Sequence, residues 1–285
     1  MISFPTLGYN VRLGNKMFQY AFLRSTANRL GVKFYCPSWQ GELLFTLNDQ
    51  DERVSQPEGI TKHYRQESNN PGFSADALNI EDNTEIFGYF QSEKYYHKSE
   101  LVRQWFSFQP EKIASIQDKF KEFDFTDSVG IHLRFGDVVG QLKRPPMRRG
   151  YYKKALSYIP NKNSIVIFSD EPERAKQLLE GVADNPFFVT GNQNYEDLFL
   201  MTQCRHFICS YSTFSWWGAW LGTQEDRVVI YPQEGQYRPG YGNKAKGTSC
   251  ENWQEIPSLR GFFDDYRLVS RLEKRLPRFI SKLFY

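Results

Sequence analysis

Cysteine is scarce, and its spacing suits neither metal nor redox chemistry. Only Cys36, Cys204, Cys209 and Cys250 occur, and no two of them form a C-x-x-C pair, which argues against a structural zinc site. The start, Met1-Ile2-Ser3-Phe4-Pro5, lacks a basic stretch followed by a long apolar run, so no secretory leader is read there and the thiols are expected to be reduced, in a cytoplasmic protein. No run of about 18 apolar residues occurs, so no membrane-spanning helix is expected. Excess charge is also lacking: the net charge is +3, too small for a nucleic-acid partner, which calls for a strongly basic face. It is compatible with an anionic small molecule bound locally. There is no internal repeat and no low-complexity segment.

What is present is enough for a large core. The 285 residues, 40% hydrophobic and 24% charged, suit one large domain or two of about 130 and exclude wholesale disorder. Aromatic residues reach 16%. An aromatic core and a surface that stacks on sugar rings both account for that share.

The pattern divides near residue 125. Before it, residues 14–30 carry apolar positions at helical spacing, closed by Gly31 as a C-cap. Strands are predicted at 32–36 and 85–89, and helices at 92–106 and 110–123. Residues 48–84 are polar and read as loops with short elements. Residues 124–128 read as a link. Beyond it, strands (128–133, 164–168, 187–189, 206–210, 228–231) alternate with helices (151–158, 171–180, 195–203, 214–222). Apolar strands in β–α units predict a parallel, doubly wound sheet, which binds ligands at the carboxyl ends of its strands. The expected domains are 1–125 and 126–265, followed by a C-terminal segment, 266–285.

Four segments carry polar residues at such ends or at helix starts. His132-Leu133-Arg134-Phe135-Gly136-Asp137 follows a strand, and an Arg fork suits a diphosphate because it presents several donors in one plane and stays charged. A structural Arg–Asp pair at a strand end is the alternative. Ser210-Tyr211-Ser212-Thr213-Phe214 joins a strand to a helix, whose free amides and positive dipole end form an anion site. A plain Ser/Thr cap with Trp216, Trp217 and Trp220 in the core is the alternative there, and for the tryptophans it is favoured. Phe168-Ser169-Asp170-Glu171-Pro172 ends a strand in a carboxylate that suits a ribose hydroxyl or base edge, or simply caps the next helix. Gly14-Asn15 at a helix start allows close backbone approach to a ligand, or is an ordinary helix start.

Taken together these segments resemble glycosyltransferase family 11, the α-1,2-fucosyltransferases, and the wider fucosyltransferase group. The family's opening motif matches Arg12 to Phe18, with Lys16 in place of Gln and Val11 in place of the leading Gly. Its His-x-Arg-Arg-x-Asp matches His132 to Asp137, with Phe135 in place of the second Arg. Phe168 to Glu171 and Tyr211 to Trp217 match two more motifs, with Tyr211 in place of Asn. Gly88 to Tyr96 and the stretch from Asp197 through His206 fit as well.

The resemblance implies a GT-B-like α/β fold of two Rossmann-type domains facing a cleft. It also implies GDP-fucose as donor, inversion at the anomeric carbon and no metal. Arg134, His132, Asp170, Ser212, Thr213 and Phe214 would bind the donor, with Gly14 and Asn15 approaching from the first domain. Arg134, Asn15 and Asp137 would serve catalysis, Asp137 as the candidate base. Loss of a cation at Phe135 is one that Arg12 or Lys16 would make good. The expected reaction moves fucose to a glycan hydroxyl, O2 of galactose, on a glycan or lipid-linked oligosaccharide acceptor.

Three other readings stand beside this one. The first is a GDP-sugar transferase of other linkage or sugar. The second is a nucleotide-sugar or glycan-binding module without turnover. The third is a metal-dependent transferase, because Asp49-Gln50-Asp51 matches an Asp-x-Asp metal motif, although a solvated acidic loop is favoured. From Arg267 onward, basic and apolar residues alternate at helical spacing around Pro277. That stretch is either a basic amphipathic helix for peripheral membrane contact or a helix packed on the domains.

Overall fold

A computed structural model of the chain describes residues 1–67, 70–135, 147–160, 162–233 and 247–257. By packing, the chain forms two units: Met1–Lys119 with Asn243–Glu251, and Phe120–Gly242 with Asn252–Tyr285. The division falls before the expected 125/126. Phe120 and Phe123 explain this, since both pack on Phe187 of the second unit, with ring centroids 6.0 and 4.6 Å apart. The expected C-terminal helix lies outside the described residues.

The first unit is built on a parallel sheet of β1 (Ile2–Ser3), β2 (Phe34–Tyr35), β3 (Lys62–Arg65) and β4 (Thr84–Phe87), in the order β2-β1-β4-β3. Helix α1 (Leu13–Leu30) is buried on nearly every side and ends at Gly31, whose left-handed φ of 67° lets its N–H reach the carbonyls of Ala27 and Asn28. Two short helices follow, α2 (Ser99–Trp105) and α3 (Pro110–Lys119). The single helix expected over 92–106 is broken. Ser92 accepts from the Lys94 amide to start a 3-10 turn, and Tyr96 is extended, so α2 begins only at Ser99. Strand β3 lies within the stretch expected to be loop. It is an edge strand with three of its four residues exposed, so it carries no apolar alternation to read.

Asp49 departs from expectation. It is 8% exposed and not solvated. Its carboxylate accepts from the Tyr20 hydroxyl at 2.9 Å and lies 3.7 Å from Arg53. Arg24 is buried beside it, held by Glu52 and the carbonyls of Leu47 and Asn48 under the Trp105 ring. Buried charges need such partners.

The second unit holds β5 (Ser128–Leu133), β6 (Ser164–Ser169), β7 (Phe187–Val189), β8 (His206–Ile208), β9 (Val229–Pro232) and β10 (Gln254–Ile256), all parallel, in the order β10-β9-β8-β5-β6-β7. Read outward from β5, that is the Rossmann order, with the chain reversing direction between β5 and β8. Helices α4 (Arg149–Leu156), α5 (Pro172–Leu179), α6 (Asn194–Gln203) and α7 (Thr213–Trp220) connect the strands. All six residues of β5 are buried, as a central parallel strand requires. The parallel, doubly wound α/β architecture predicted for this half is therefore present. Among the described residues no helix is long and apolar enough to cross a membrane.

Candidate functional site

The carboxyl ends of β5, β6 and β8 gather the polar segments of the second unit. Register places His132 beside Phe168 and Leu133 beside Ser169, so Arg134 and Asp170 leave neighbouring strands together. The Arg134 guanidinium lies 3.0 Å from one Asp170 carboxylate oxygen, and the other accepts the Phe135 amide at 2.9 Å. Asp170 therefore does not cap α5. The N-cap is Glu171 and has no side-chain cap bond, while Ser169 Oγ accepts from the Glu171 amide. Arg134 pairs with Asp170. Asp137 lies outside the described residues.

A side-chain contact bridges the end of β5 and the turn that follows β8. His132 Nδ1 and Ser210 Oγ are 2.9 Å apart. His132 is 4% exposed, and burial pulls its pKa from 6.5 down to about 4 against the opposing field of Asp170, so the imidazole is neutral. Ser210 in turn gives its amide to Ser215 Oγ at 3.2 Å, and its carbonyl takes the Ser212 amide at 2.8 Å. These contacts fix the turn from which α7 starts.

Ser212 is the extended N-cap of α7, and its side chain makes no cap bond. The Trp216 amide donates to its carbonyl at 3.0 Å. The amides of Thr213, Phe214 and Ser215 thus occupy the first turn, where no helical carbonyl can take them. Ser212, Thr213 and Phe214 are partly exposed, whereas Trp216, Trp217 and Trp220 are core, at 1%, 0% and 2% exposure. The Phe214 ring lies 5.8 Å from the His132 ring.

Two residues here were not read from sequence. Tyr151 and Tyr152 on α4 donate to the carbonyls of Cys209 and His132, at 2.8 and 3.3 Å, and so pin the ends of β8 and β5. Their only sequence signal is an adjacent Tyr pair in a helix of period-matched apolar residues. Phe135 packs into the core at 1% exposure. Among the described residues, Arg174 packs on its ring, with the guanidinium carbon 4.8 Å from the centroid. Arg12 and Lys16, expected to compensate there, belong to the first unit.

Gly14 and Asn15 lie in the first turn of α1 in the first unit. Asn15 Oδ1 accepts from Gln91 Nε2 at 2.9 Å. Among the described residues no group of three His, Cys, Asp or Glu is placed to hold a metal ion.

Known proteins resemble parts of this chain. O-antigen biosynthesis glycosyltransferase WbnK of Escherichia coli is 33% identical over 120 residues, covering 38% of this chain and 39% of that protein. Alpha-1,2-colitosyltransferase of Escherichia coli is 30% identical over 166 residues, covering 54% of this chain and 56% of that protein. The matched stretches thus span about half or less of these curated relatives. Among solved structures, fucosyltransferase NodZ from Bradyrhizobium matches with a TM-score of 0.47 and 15% identity, over 72% of this chain and 88% of that one. The broadest match takes in both units: the sequence model of glycosyl transferase family 11 fits residues 2–254, and the chain belongs to that family.

Proposed function

We propose that the protein transfers fucose from GDP-fucose to a glycan hydroxyl, O2 of galactose, with inversion and without a metal ion. One observation carries the reading. The His132–Ser210 contact brings the Arg134 loop and the amino end of α7 to the same strand reversal, where sheets of this order bind ligands. The name of the alpha-1,2-colitosyltransferase relative supports the 1,2 linkage.

In the proposed reaction the acceptor oxygen attacks the anomeric carbon on the face opposite GDP. The bond from that carbon to the β-phosphate oxygen breaks, and the diphosphate leaves with added negative charge. Arg134 and the first-turn amides at Thr213 and Phe214 neutralise that charge more in the transition state than in the ground state. Asp170 positions Arg134, and neutral His132 positions the hydroxyl-rich turn. Ser212 and Thr213 donate hydroxyls to the phosphates. Asn15 and Gly14 are assigned to the sugar or β-phosphate, and Asp137 to the acceptor proton. The acidic motif at Asp49 is a poor metal holder, because its carboxylate already serves Tyr20 and lies beside Arg53.

Calorimetric titration with GDP, UDP and ADP in EDTA tests the donor site, on wild type and Arg134→Ala. Selective GDP binding that collapses in the variant is expected. Preference for UDP, or indifference to the substitution, would refute the reading. Transfer lost in EDTA and restored by Mn²⁺ would overturn metal independence, and GDP binding with no turnover on any acceptor would favour a binding module.

A further inference from the structure

The first unit has its own strand reversal. From β1 the chain crosses to β2 on one side, whereas β4 and β3 lie on the other. The crevice at such a reversal lies between the loops that leave β1 and β4, and these loops present Tyr9 and Tyr89.

One buried side chain joins the two loops. Gln19 on α1 is 6% exposed; its Oε1 accepts from the Gly8 amide and its Nε2 donates to the Gly88 carbonyl, both at 3.0 Å. The residues next to these glycines are Tyr9, 75% exposed, and Tyr89, 39% exposed. A second carboxamide sets the β4 loop. Gln66 Oε1 accepts the amides of Tyr89 and Phe90 at 2.8 and 2.9 Å, and its Nε2 donates to the Gly72 carbonyl at 2.9 Å. Phe90 takes a φ of +53°, rare for a bulky residue, and drives its ring into the core, stacked 3.7 Å from Phe22. Tyr89 is thereby turned outward. Asn10, beside Tyr9, is also left-handed at +52°. A Cβ at position 88 would come within 2.6 Å of Gln66.

Backbone strain held by satisfied, buried amides, with an aromatic ring projected into water, marks a functional constraint. Among the described residues the other exposed aromatic rings each have a cation or ring partner: Arg65 lies over Phe87 and Lys154 over Tyr158, and Phe187 stacks on Phe123. Tyr9 and Tyr89 have no such ring or cation partner among the described residues.

We infer that Tyr9 and Tyr89 form a stacking platform for one pyranose of the acceptor glycan. A tyrosine offers an apolar face with a polar rim. A β-galactoside matches it, because its C3, C4 and C5 hydrogens lie on one face of the ring. The inference rests on the transferase reading for the identity of the ligand as an acceptor.

Saturation-transfer NMR with methyl β-galactoside as the probe tests the platform. Wild type should pass saturation from aromatic protons to the sugar C–H protons. Tyr9→Ala and Tyr89→Ala should each weaken binding roughly tenfold, the loss of one apolar contact face. Tyr158→Ala, an exposed tyrosine of the second unit, should bind as wild type does. No transfer in wild type, or wild-type binding by either platform variant, would overturn the inference. GDP titration of the same proteins reads the donor site separately. Intact GDP binding with a lost sugar signal in wild type sinks the platform alone; a sugar signal without GDP binding sinks the transferase reading and leaves the platform.

Discussion

Arg134 is held 3.0 Å from Asp170 at 22% exposure, so in the proposed reaction an arriving diphosphate would meet a guanidinium already oriented by a carboxylate. Lysine keeps the charge but loses the planar fork. Arg134→Ala is expected to weaken GDP binding about 100-fold and Arg134→Lys about tenfold, in line with roughly 1.5–3 kcal/mol for hydrogen bonds to charged groups; equal affinities in a titration would contradict this. Sequence spacing marks Arg134 and Asp170 separately but not as partners, because Phe135 and Asp170 lie 35 positions apart and only strand register brings them together. His132 sets a pH dependence. Its pKa falls from 6.5 to about 4 on folding, so below 6.5 the unfolded chain takes up a proton that the native site refuses. Its stability contribution is complete above pH 6.5 and declines as pH falls toward 4, by about 3 kcal/mol in all. Urea unfolding at pH 7.5, 5.5 and 4.5 should show that slope, flattened in His132→Gln.

Among the elements, α7 depends on close contact with α6. A Cβ added to Gly218 would lie 2.8 Å from both Cβ and Sδ of Met201. Alanine adds roughly 1 kcal/mol of helix propensity, but overpacking costs about 1–3 kcal/mol. Gly218→Ala should therefore lower the unfolding midpoint and, by displacing the amino end of α7, weaken GDP binding; a stabilised variant with unchanged affinity would argue that α7 moves freely. Gly130 on β5 is tighter still, with Phe207 Cδ2 at 2.6 Å and Cys204 Sγ at 2.9 Å, so Gly130→Ala should be less stable than wild type by about 1–3 kcal/mol in the same assay. The buried strands of the second unit were legible because most of their residues are apolar or small, His132 and His206 being the buried exceptions in β5 and β8. Strands β1 and β10 were not read, since β1 is only Ile2–Ser3 and β10 carries polar Gln254 and Glu255. Edge strand β3 was missed for its polarity.

For the whole molecule, the proposed donor contacts at Arg134, Asp170, Ser212 and Thr213 fall in the second unit, which also holds Trp216, Trp217, Trp220 and Trp253. GDP at 100 times its Kd should stabilise that unit by roughly 2.7 kcal/mol, read as a raised midpoint of tryptophan fluorescence. A midpoint unmoved by saturating GDP would place the nucleotide elsewhere. The units divide before Phe120, and Phe120 and Phe123 both pack on Phe187 of the second unit.

The sequence by itself determined the parallel β–α rhythm of the second half, the tryptophan core, and the family, through motifs in the right order. Those are local or collinear properties, fixed by apolar period and spacing along the chain. Only the tertiary structure decided that Asp170 serves Arg134 instead of a helix cap, that His132 closes on Ser210, that Asp49 is a buried acceptor, and that Gln19 draws the Tyr9 and Tyr89 loops together. Each depends on which strands become neighbours and which polar groups lose water, and burial sets those partners over separations that a pattern along the chain does not encode.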